Sequence, residues 1–337
     1  MRMIRYPFPT FPRGWFAVAL GSELGEGQVL TRKAFGEEVV LYRDGEGTAH
    51  IVEPWCPHVG AHLGHGGTVV EGQLRCPFHG YRFDSAGQCA HIPGNAANPD
   101  PKIPPGLKLG KHPCKEVDGA IFLWHDPAGR EPSFDIPSYF EQRGAEGWAD
   151  MQWKTWEGLE AHPQETSENS VDLAHFSTVH GYEDMEIVDP LEIDGEVLRI
   201  SYKMKRDLAS VGMPGQKVES IFRVRVHGLG YSVVEVSTPT FGTDFRTYVL
   251  CTPVDEKTVI LRGGGTMQLL PDANMNKMVN QMFFAGFCHD VEQDFDIWQN
   301  KKYLERPVLA ATDGPIGPYR KYCRQFYDWP AGAEAAE

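Results

Sequence analysis

Two short segments of this chain carry matched metal-ligand chemistry: Cys56-Pro57-His58 and, after seventeen intervening residues, Cys76-Pro77-Phe78-His79. Each supplies one thiolate and one imidazole. Two thiolates on one iron and two imidazoles on the other is the ligand set of a mixed-ligand [2Fe–2S] cluster. Neutral imidazole in place of thiolate removes negative charge from the outer iron, which raises the reduction potential and lets the centre accept an electron readily. A structural zinc site takes the same four donors. Zinc modules, however, usually pair Cys with Cys and His with His, whereas here each loop carries one of each. The contexts Cys-Pro-His-x-Gly and Cys-Pro-Phe-His-Gly-Tyr are matched in the same sense. Cys56, His58, Cys76 and His79 are therefore the expected cluster ligands.

A second constellation lies at Asn169, Asp172, His175 and His180. Two histidines and one carboxylate on one face of a metal, with other positions open, hold the Fe(II) of non-haem oxygenases, and the open positions admit dioxygen and substrate. His175 and His180 are five residues apart, roughly 140° around a continuous helix. They converge only if the helix ends or widens near Ser177-Thr178-Val179. The carboxylate is sought in the acidic run Asp290, Glu292, Asp294 and Asp296. Most of an acidic helical run is a solvated face, so replacing Asp290 is expected to be near neutral. Phe284, Phe287, Val291, Phe295 and Trp298 recur at spacings of three and four and mark the buried side. Asp294 flanks that stripe and is the expected metal ligand with His175 and His180, while Glu292 and Asp296 stay open as alternatives.

Two kinds of scaffold are needed to hold these sites. From Gly14 to about Asp126 the chain alternates short apolar runs with Gly, Asp and Pro clusters, an all-β reading in which both ligand loops sit at hairpin tips. Asp126-Pro-Ala-Gly-Arg-Glu-Pro-Ser reads as a linker. Beyond it the pattern predicts a helix over about 163–178, alternating strands from about Val197 to Arg262, and a long helix from about Asn274 to Tyr303. The fold class is α+β: an N-terminal all-β domain over 10–126 and, over 135–330, an antiparallel sheet wrapped on long helices. Gly263-Gly264-Gly265 lacks the strand–helix fingerprint of a dinucleotide site and reads as a turn or strand end. His62, His65 and His162 read as loop or packing residues.

The 337 residues suffice for two cores. A net charge of −14 argues against nucleic-acid binding and gives no reason to expect an anionic membrane surface as partner. Seven cysteines leave five beyond the cluster with no framework spacing, and an odd remainder beside an oxidation-sensitive cluster points to a reducing cytoplasm. The start breaks at proline before an apolar leader can form, and no run approaches the roughly 18 apolar residues of a membrane span.

The cluster motif is of the Rieske type. It differs from the respiratory Rieske proteins, whose loops add a disulfide, because Ala61 and Phe78 stand at the corresponding positions. Taken whole, from Gly14 to about Tyr327, the chain resembles the Rieske non-haem iron oxygenases of the α-subunit type, and within them the branch of 3-ketosteroid 9α-hydroxylase oxygenase components and cholesterol 7-desaturases. The family's spacing Asn, two residues, Asp, two residues, His, four residues, His is matched by Asn169, Asp172, His175 and His180, and Gln-Asp-x-x-Ile-Trp surrounds Asp294. The likeness to the steroid branch rests on Gly60-Ala-His-Leu-Gly-His-Gly-Gly, His162-Pro-Gln-Glu-Thr-Ser-Glu-Asn, Ile297-Trp-Gln-Asn-Lys-Lys-Tyr and the segment from Asp313 to Tyr327. What the resemblance implies is a helix-grip-like catalytic domain and a terminal oxygenase. Such an oxygenase uses O2 and electrons from NAD(P)H, delivered by a separate reductase with or without a ferredoxin, to hydroxylate or desaturate a small apolar polycyclic substrate. It also implies a head-to-tail homotrimer in which Asp172 bridges His175 to His79 of the neighbouring chain, whereas Asn169 either hydrogen-bonds near the iron or packs the helix. Arene dihydroxylation and demethylation are chemically adjacent outcomes. From a different class, a Rieske electron-transfer protein fused to a binding domain is the rival. Met275, Met278, Met282, Phe283 and Phe284 are candidates for an adaptable apolar pocket, or equally for a helix-packing core.

Overall fold

The computed structural model describes residues 6–144, 146–208 and 213–329. The chain divides into two compact units, Phe16–Ser138 and, from Tyr139 onward, a second unit that includes the residues up to Trp15.

The first unit is built from β1 (Gly14–Leu20), β2 (Val29–Ala34), β3 (Glu37–Arg43), β4 (Ala49–Val52), β5 (Thr68–Val70), β6 (Gln73–Arg75), β7 (Arg82–Phe83), β8 (Cys89–His91), β9 (Lys111–His112), β10 (Cys114–Val117) and β11 (Ala120–His125). These form three sheets ordered β2-β3-β4-β9, β5-β6-β7-β8 and β1-β11-β10. Val40, Tyr42, Val52, Leu63, Leu74, Phe83 and Leu109 fill one core, and the thiols of Cys56 and Cys76 are part of it. The two loops are thus anchored by their own cysteines.

In the second unit, α1 (Tyr139–Arg143), β12 (Gln152–Leu159), α2 (Pro163–Glu168) and α3 (Leu173–Thr178) precede the strands β13 (Tyr182–Asp194), β14 (Val197–Leu208), β15 (Met213–His227), β16 (Tyr231–Thr238), β17 (Thr243–Pro253) and β18 (Val259–Met267). α4 (Ala273–Gln293), α5 (Phe295–Asn300) and α6 (Ile316–Cys323) follow. The sheet is antiparallel throughout, ordered β12-β18-β17-β16-β15-β14-β13. The helical stripe behaves as its spacing predicts. Val291 and Trp298 are buried with Leu159, Cys251, Val259 and Leu261, and Phe287 and Phe295 pack against them. This is the α+β plan expected, with a long helix gripped by a sheet.

Three local features differ from the sequence reading. The helix over 163–178 is two short helices, α2 and α3, and the long terminal helix is interrupted at Asp294, which closes α4 and opens α5. Gly263-Gly264-Gly265 is not a turn but the interior of β18, paired on both sides. A Cβ on Gly264 would lie 2.6 Å from the Trp153 ring, and one on Gly265 2.7 Å from Phe284. The three glycines let aromatic rings lie against the strand, a packing role that a run of glycine cannot announce by itself. Gly264→Ala should therefore destabilise the protein by about 1–3 kcal/mol through overpacking, read as a lower denaturation midpoint. Gly317→Ala, inside α6 with nothing within 4 Å of its Cβ, should be neutral or stabilising by comparison.

Among the described residues no helix is long and apolar enough to cross a membrane.

Candidate metal centres

In the first unit the two ligand loops have the same local hydrogen bonding. Cys56 N–H donates to Ala61 O at 2.8 Å and Gly60 N–H to Cys56 O at 2.9 Å; Cys76 N–H donates to Tyr81 O at 2.8 Å and Gly80 N–H to Cys76 O at 3.1 Å. The second loop is the β6–β7 hairpin tip. The first, expected at another, instead links the sheet of β4 to that of β5 and is closed by the isolated bridge Trp55–His62. Both thiols are buried and both imidazoles exposed, with the His58 and His79 rings 4.8 Å apart. Burial, with Cys76 close by, pushes the Cys56 thiol up to about 11, while amide N–H groups of His58 and Val59 point at its sulfur and act in the opposite sense. Two buried cysteines side by side with two imidazoles beyond them are a donor set that fits a [2Fe–2S] cluster with thiolates on one iron and imidazoles on the other. Tyr81 stacks on His58 at 4.3 Å, a neighbour that spacing alone did not single out.

In the second unit, ligand atoms of His175, His180 and Asp294 lie within 4.8 Å of one another. His175 is on α3, which ends at Thr178. The chain turns there, and His180 swings back until the two rings are 5.1 Å apart. Each ring is oriented from behind. His175 Nδ1 donates to the backbone oxygen of Asp172 at 2.5 Å, and His180 Nδ1 donates to Gln293 Oε1 at 3.0 Å. A carbonyl oxygen only accepts, so both Nδ1 atoms carry the proton and both Nε2 lone pairs are free for a metal. Burial holds the His175 imidazole down at about 4, so it is the neutral ligand form. His180 Nε2 is 3.6 Å from Asp294 Oδ2. Burial pushes Asp294 up to about 6, against the pull of His180 and a hydrogen bond from Asn169. A desolvated carboxylate with two imidazoles beside it is a donor set that a divalent cation satisfies. Asn169 is in turn held by Trp298, whose indole N–H donates to Asn169 Oδ1 at 3.4 Å.

The other acids of the run go elsewhere. Glu292 accepts from Trp156 at 2.8 Å and pairs with Lys154, and Asp296 is exposed. Asp290 is not a solvated bystander. It pairs with Arg206 at 2.5 Å, both side chains largely buried, so its replacement will not be neutral. Asp172 caps α3, its Oδ1 accepting from His175 N–H at 3.4 Å, but stays 4.0 Å from the ring nitrogen. The ring is oriented by the Asp172 backbone, and the carboxylate is left about one-third exposed. Gln293, which sequence reasoning passed over, stands beside Asp294 in the Gln-Asp pair. Gln293→Leu should weaken ferrous binding about 10–100-fold while leaving the cluster's visible spectrum intact. Unchanged affinity would show that packing alone orients His180.

Behind the ligands, α2 is held from beneath by buried ion pairs: Glu168 with Arg320 at 2.7 Å, and Lys301 with Glu165 at 3.0 Å. His162 caps α2, its Nδ1 accepting from Gln164 N–H at 3.1 Å, and takes no part in either metal site. In front lies an open cleft with a cavity volume of about 150 Å3, walled by Phe176, Tyr202, Phe222, Val234, Phe287 and Trp298. Of the residues proposed as pocket lining, Met275 and Met278 are exposed, Phe283 stacks on Phe245, and none of the five borders this cleft. A wider groove over β13–β15 is lined by Arg199, Arg223, Arg225, Asp189 and Glu192 and contains none of His175, His180 and Asp294, which the apolar cleft does.

A Rieske-type cluster unit followed by a mononuclear two-histidine, one-carboxylate centre opening on an apolar cleft defines a Rieske non-haem iron oxygenase. Residues 14–108 match the Rieske [2Fe-2S] domain and residues 123–327 match the 3-Ketosteroid 9alpha-hydroxylase C-terminal domain. The chain belongs to the Rieske oxygenase family of the 3-ketosteroid 9α-hydroxylase type, an enzyme family whose cofactors are a [2Fe–2S] cluster and a mononuclear iron. It is 31% identical to a cholesterol 7-desaturase of Bombyx mori, over 95% of this chain and 70% of that one. It is 29% identical to a 3-ketosteroid-9-alpha-monooxygenase oxygenase component of Rhodococcus rhodochrous, over 95% and 85%. In fold it is similar to dicamba monooxygenase bound to 3,6-dichlorosalicylic acid, with a TM-score of 0.74 at 20% identity, covering 95% of this chain and 98% of that one. As the oxygenase component of such a system, the chain requires an electron donor.

Proposed function

We propose that this oxygenase hydroxylates or desaturates a rigid, apolar, steroid-sized substrate, and that the ligands named above hold its metals: Cys56, His58, Cys76 and His79 the cluster, and His175, His180 and Asp294 the iron. When bound, the cluster supplies single electrons and the iron the dioxygen-activating centre. The observation that carries the reading is the apolar cleft on which those three ligands open. Its aromatic walls exclude water from the reacting carbon and bind by shape, as a substrate with few polar groups requires. Relatives named for cholesterol and for 3-ketosteroids support the substrate class. Asn169 and Gln293 hold Asp294 and His180 in register, which keeps the side facing the cleft open. The working assembly is a head-to-tail homotrimer in a reducing cytoplasm, fed by a separate reductase, with Asp172 meeting the exposed His79 of the neighbouring chain. The exposed apolar residues Trp55, Val59 and Phe78 around the cluster loops support such a contact. Oxygen uptake by the iron-loaded protein with a competent reductase, across sterols, ketosteroids and small arenes, tests the substrate class. Steroid-dependent uptake is expected. Robust uptake with arenes and none with any steroid would overturn it.

A further inference from the structure

The sheet forms the floor of the cleft, and that floor is apolar with two exceptions. Successive residues of a strand point to opposite faces, and the face turned to the cleft carries Tyr202 and Met204 of β14, Phe222 and Val224 of β15, Val234 of β16 and Val249 of β17. Ser232 of β16 and Thr247 of β17 stand among them and border the same cleft. Ser232 pairs with Val249 and Thr247 with Val234, so the two are diagonal neighbours across one strand pair. Their Cα atoms are then about 7–8 Å apart, close enough for one oxygen atom to serve both side chains. Neither hydroxyl has a hydrogen-bond partner among the described residues, yet neither is sealed in, unlike Asn280 Oδ1 and Asp290 Oδ1, which are closed off as well as unpartnered. The 6% of Ser232 and 4% of Thr247 that stay accessible belong to the cleft they line. Other polar side chains at its border are engaged: Thr166 Oγ1 donates to Pro163 O at 3.0 Å, Asn169 accepts from Trp298, and Asp290 accepts from Arg206 and Tyr182. Ser167 and Ser170 border it too, from α2 and the turn after it, outside the sheet floor.

Alanine or valine would pack these two floor positions at least as well. A hydroxyl in an apolar surface costs free energy unless something hydrogen-bonds to it, and a rigid skeleton covering the floor does so only where it carries a polar atom. We propose that Ser232 and Thr247 are the specificity-determining pair of the cleft and hold an oxygen substituent, ketone or hydroxyl, on the substrate's ring skeleton. This rests on the steroid-sized substrate proposed above and narrows it to an oxygenated, uncharged skeleton. Both side chains donate and accept, so a ketone oxygen takes two donors, and an alcohol accepts from one and donates to the other. Neither side chain is charged, so a carboxylate or sulfate group would be desolvated there without a counter-charge.

The test compares ligands that differ only in that oxygen. Dissociation constants are measured by anaerobic equilibrium dialysis of the iron-loaded protein with androstane and with its ketones and alcohols at either end of the skeleton. In the double variant Ser232→Ala with Thr247→Val, at least one oxygenated ligand should bind about tenfold or more less tightly, whereas androstane should bind as before or more tightly. That opposition of sign is what a packing role cannot produce. Equal weakening of androstane and the oxygenated ligands overturns the subsite, and so does unchanged binding of all of them. Should the double variant not fold, Ser232→Ala and Thr247→Val alone remove one hydroxyl each without enlarging the side chain. Each should then give the same split, reduced to a few-fold, and its absence in both overturns the pair. An overturned subsite with steroid-dependent oxygen uptake intact leaves the proposed function standing, whereas failure of the wild type to bind any of these steroids overturns both.

Discussion

Asp294→Ala is expected to empty the mononuclear iron site and abolish turnover while the cluster keeps its two irons and its colour. The side chain is buried, its Oδ2 is 3.6 Å from His180 Nε2, and its removal leaves two imidazoles and no carboxylate to hold a divalent cation in a largely apolar cleft. The loss should exceed the about 10–100-fold that a missing supporting hydrogen bond costs. The Cys56, His58, Cys76 and His79 loops lie in the other compact unit and are packed by their own core, so iron and sulfide analysis should fall by the one mononuclear iron alone. Asp296→Ala is the control, because that residue is exposed and should be near neutral. Asp290→Ala is no control, since it would leave the buried Arg206 without its partner. Iron retained in Asp294→Ala, with activity, would move the third ligand elsewhere in the acidic run.

Which parts of this could be read from sequence follows from how local the determinants are. The two Cys/His loops are short and each donor pair is set by residues within a few positions, so Cys56, His58, Cys76 and His79 stand out as candidates from the sequence alone. The mononuclear centre is harder, because its geometry depends on where helices stop. The five-residue spacing of His175 and His180 demands that α3 end between them, and it does; but the split of α2 from α3 and the interruption at Asp294 carry no periodicity signal of their own. Asp290 illustrates the limit. On helical spacing it is one acid in a solvated run, and only the arrival of Arg206 from β14, a long-range pairing, makes it a cleft residue. The glycines of β18 are similar, since their meaning lies in the Trp153, Trp156, Phe284 and Phe287 rings that pack onto them.

Three of the four segments that carry the likeness to the steroid branch also build the scaffold beneath the site. Glu165 and Glu168 of the second, Lys301 of the third and Arg320 of the fourth meet as ion pairs, and Tyr319 and Tyr327 of the fourth donate to the Gln164 backbone oxygen and side chain at 2.6 and 3.0 Å. Gly314 of the fourth segment has a φ of +86°, and a Cβ there would meet Val171 O at 2.3 Å, so the segment abuts the turn between α2 and α3. Buried charges of this kind have to be kept together, since losing one partner strands the other. Their joint presence reports a shared scaffold beneath the iron ligands. The cleft walls come mostly from β14, β15, β16, β17 and the end of α4, but Thr166, Ser167, Asn169 and Trp298 of those segments also border the cleft.

Asp172→Asn is expected to leave both metals bound and yet reduce turnover by at least about a hundredfold, more than a supporting hydrogen bond is usually worth. The His175 ring is held by the Asp172 backbone oxygen, which the substitution keeps, and asparagine caps a helix as well as aspartate does. The iron site should therefore survive. What is lost is a negative charge, about one-third exposed, that in the proposed trimer faces His79 of the neighbouring chain. Dithionite should still bleach the cluster, because that reaction does not use the bridge. Mixing chains separates this from a diffuse defect. A His79→Ala chain lacks a working cluster and an Asp172→Asn chain lacks a working bridge, and each homotrimer should be inactive. If the electron passes between chains, a mixed trimer sets an intact cluster from the Asp172→Asn chain beside an intact bridge in the His79→Ala chain, and activity should return on co-assembly. Within a single chain no combination of the two restores both parts, so recovery can come only from a path that crosses the interface. Mixed trimers that form, retain iron and stay inactive would rule that path out.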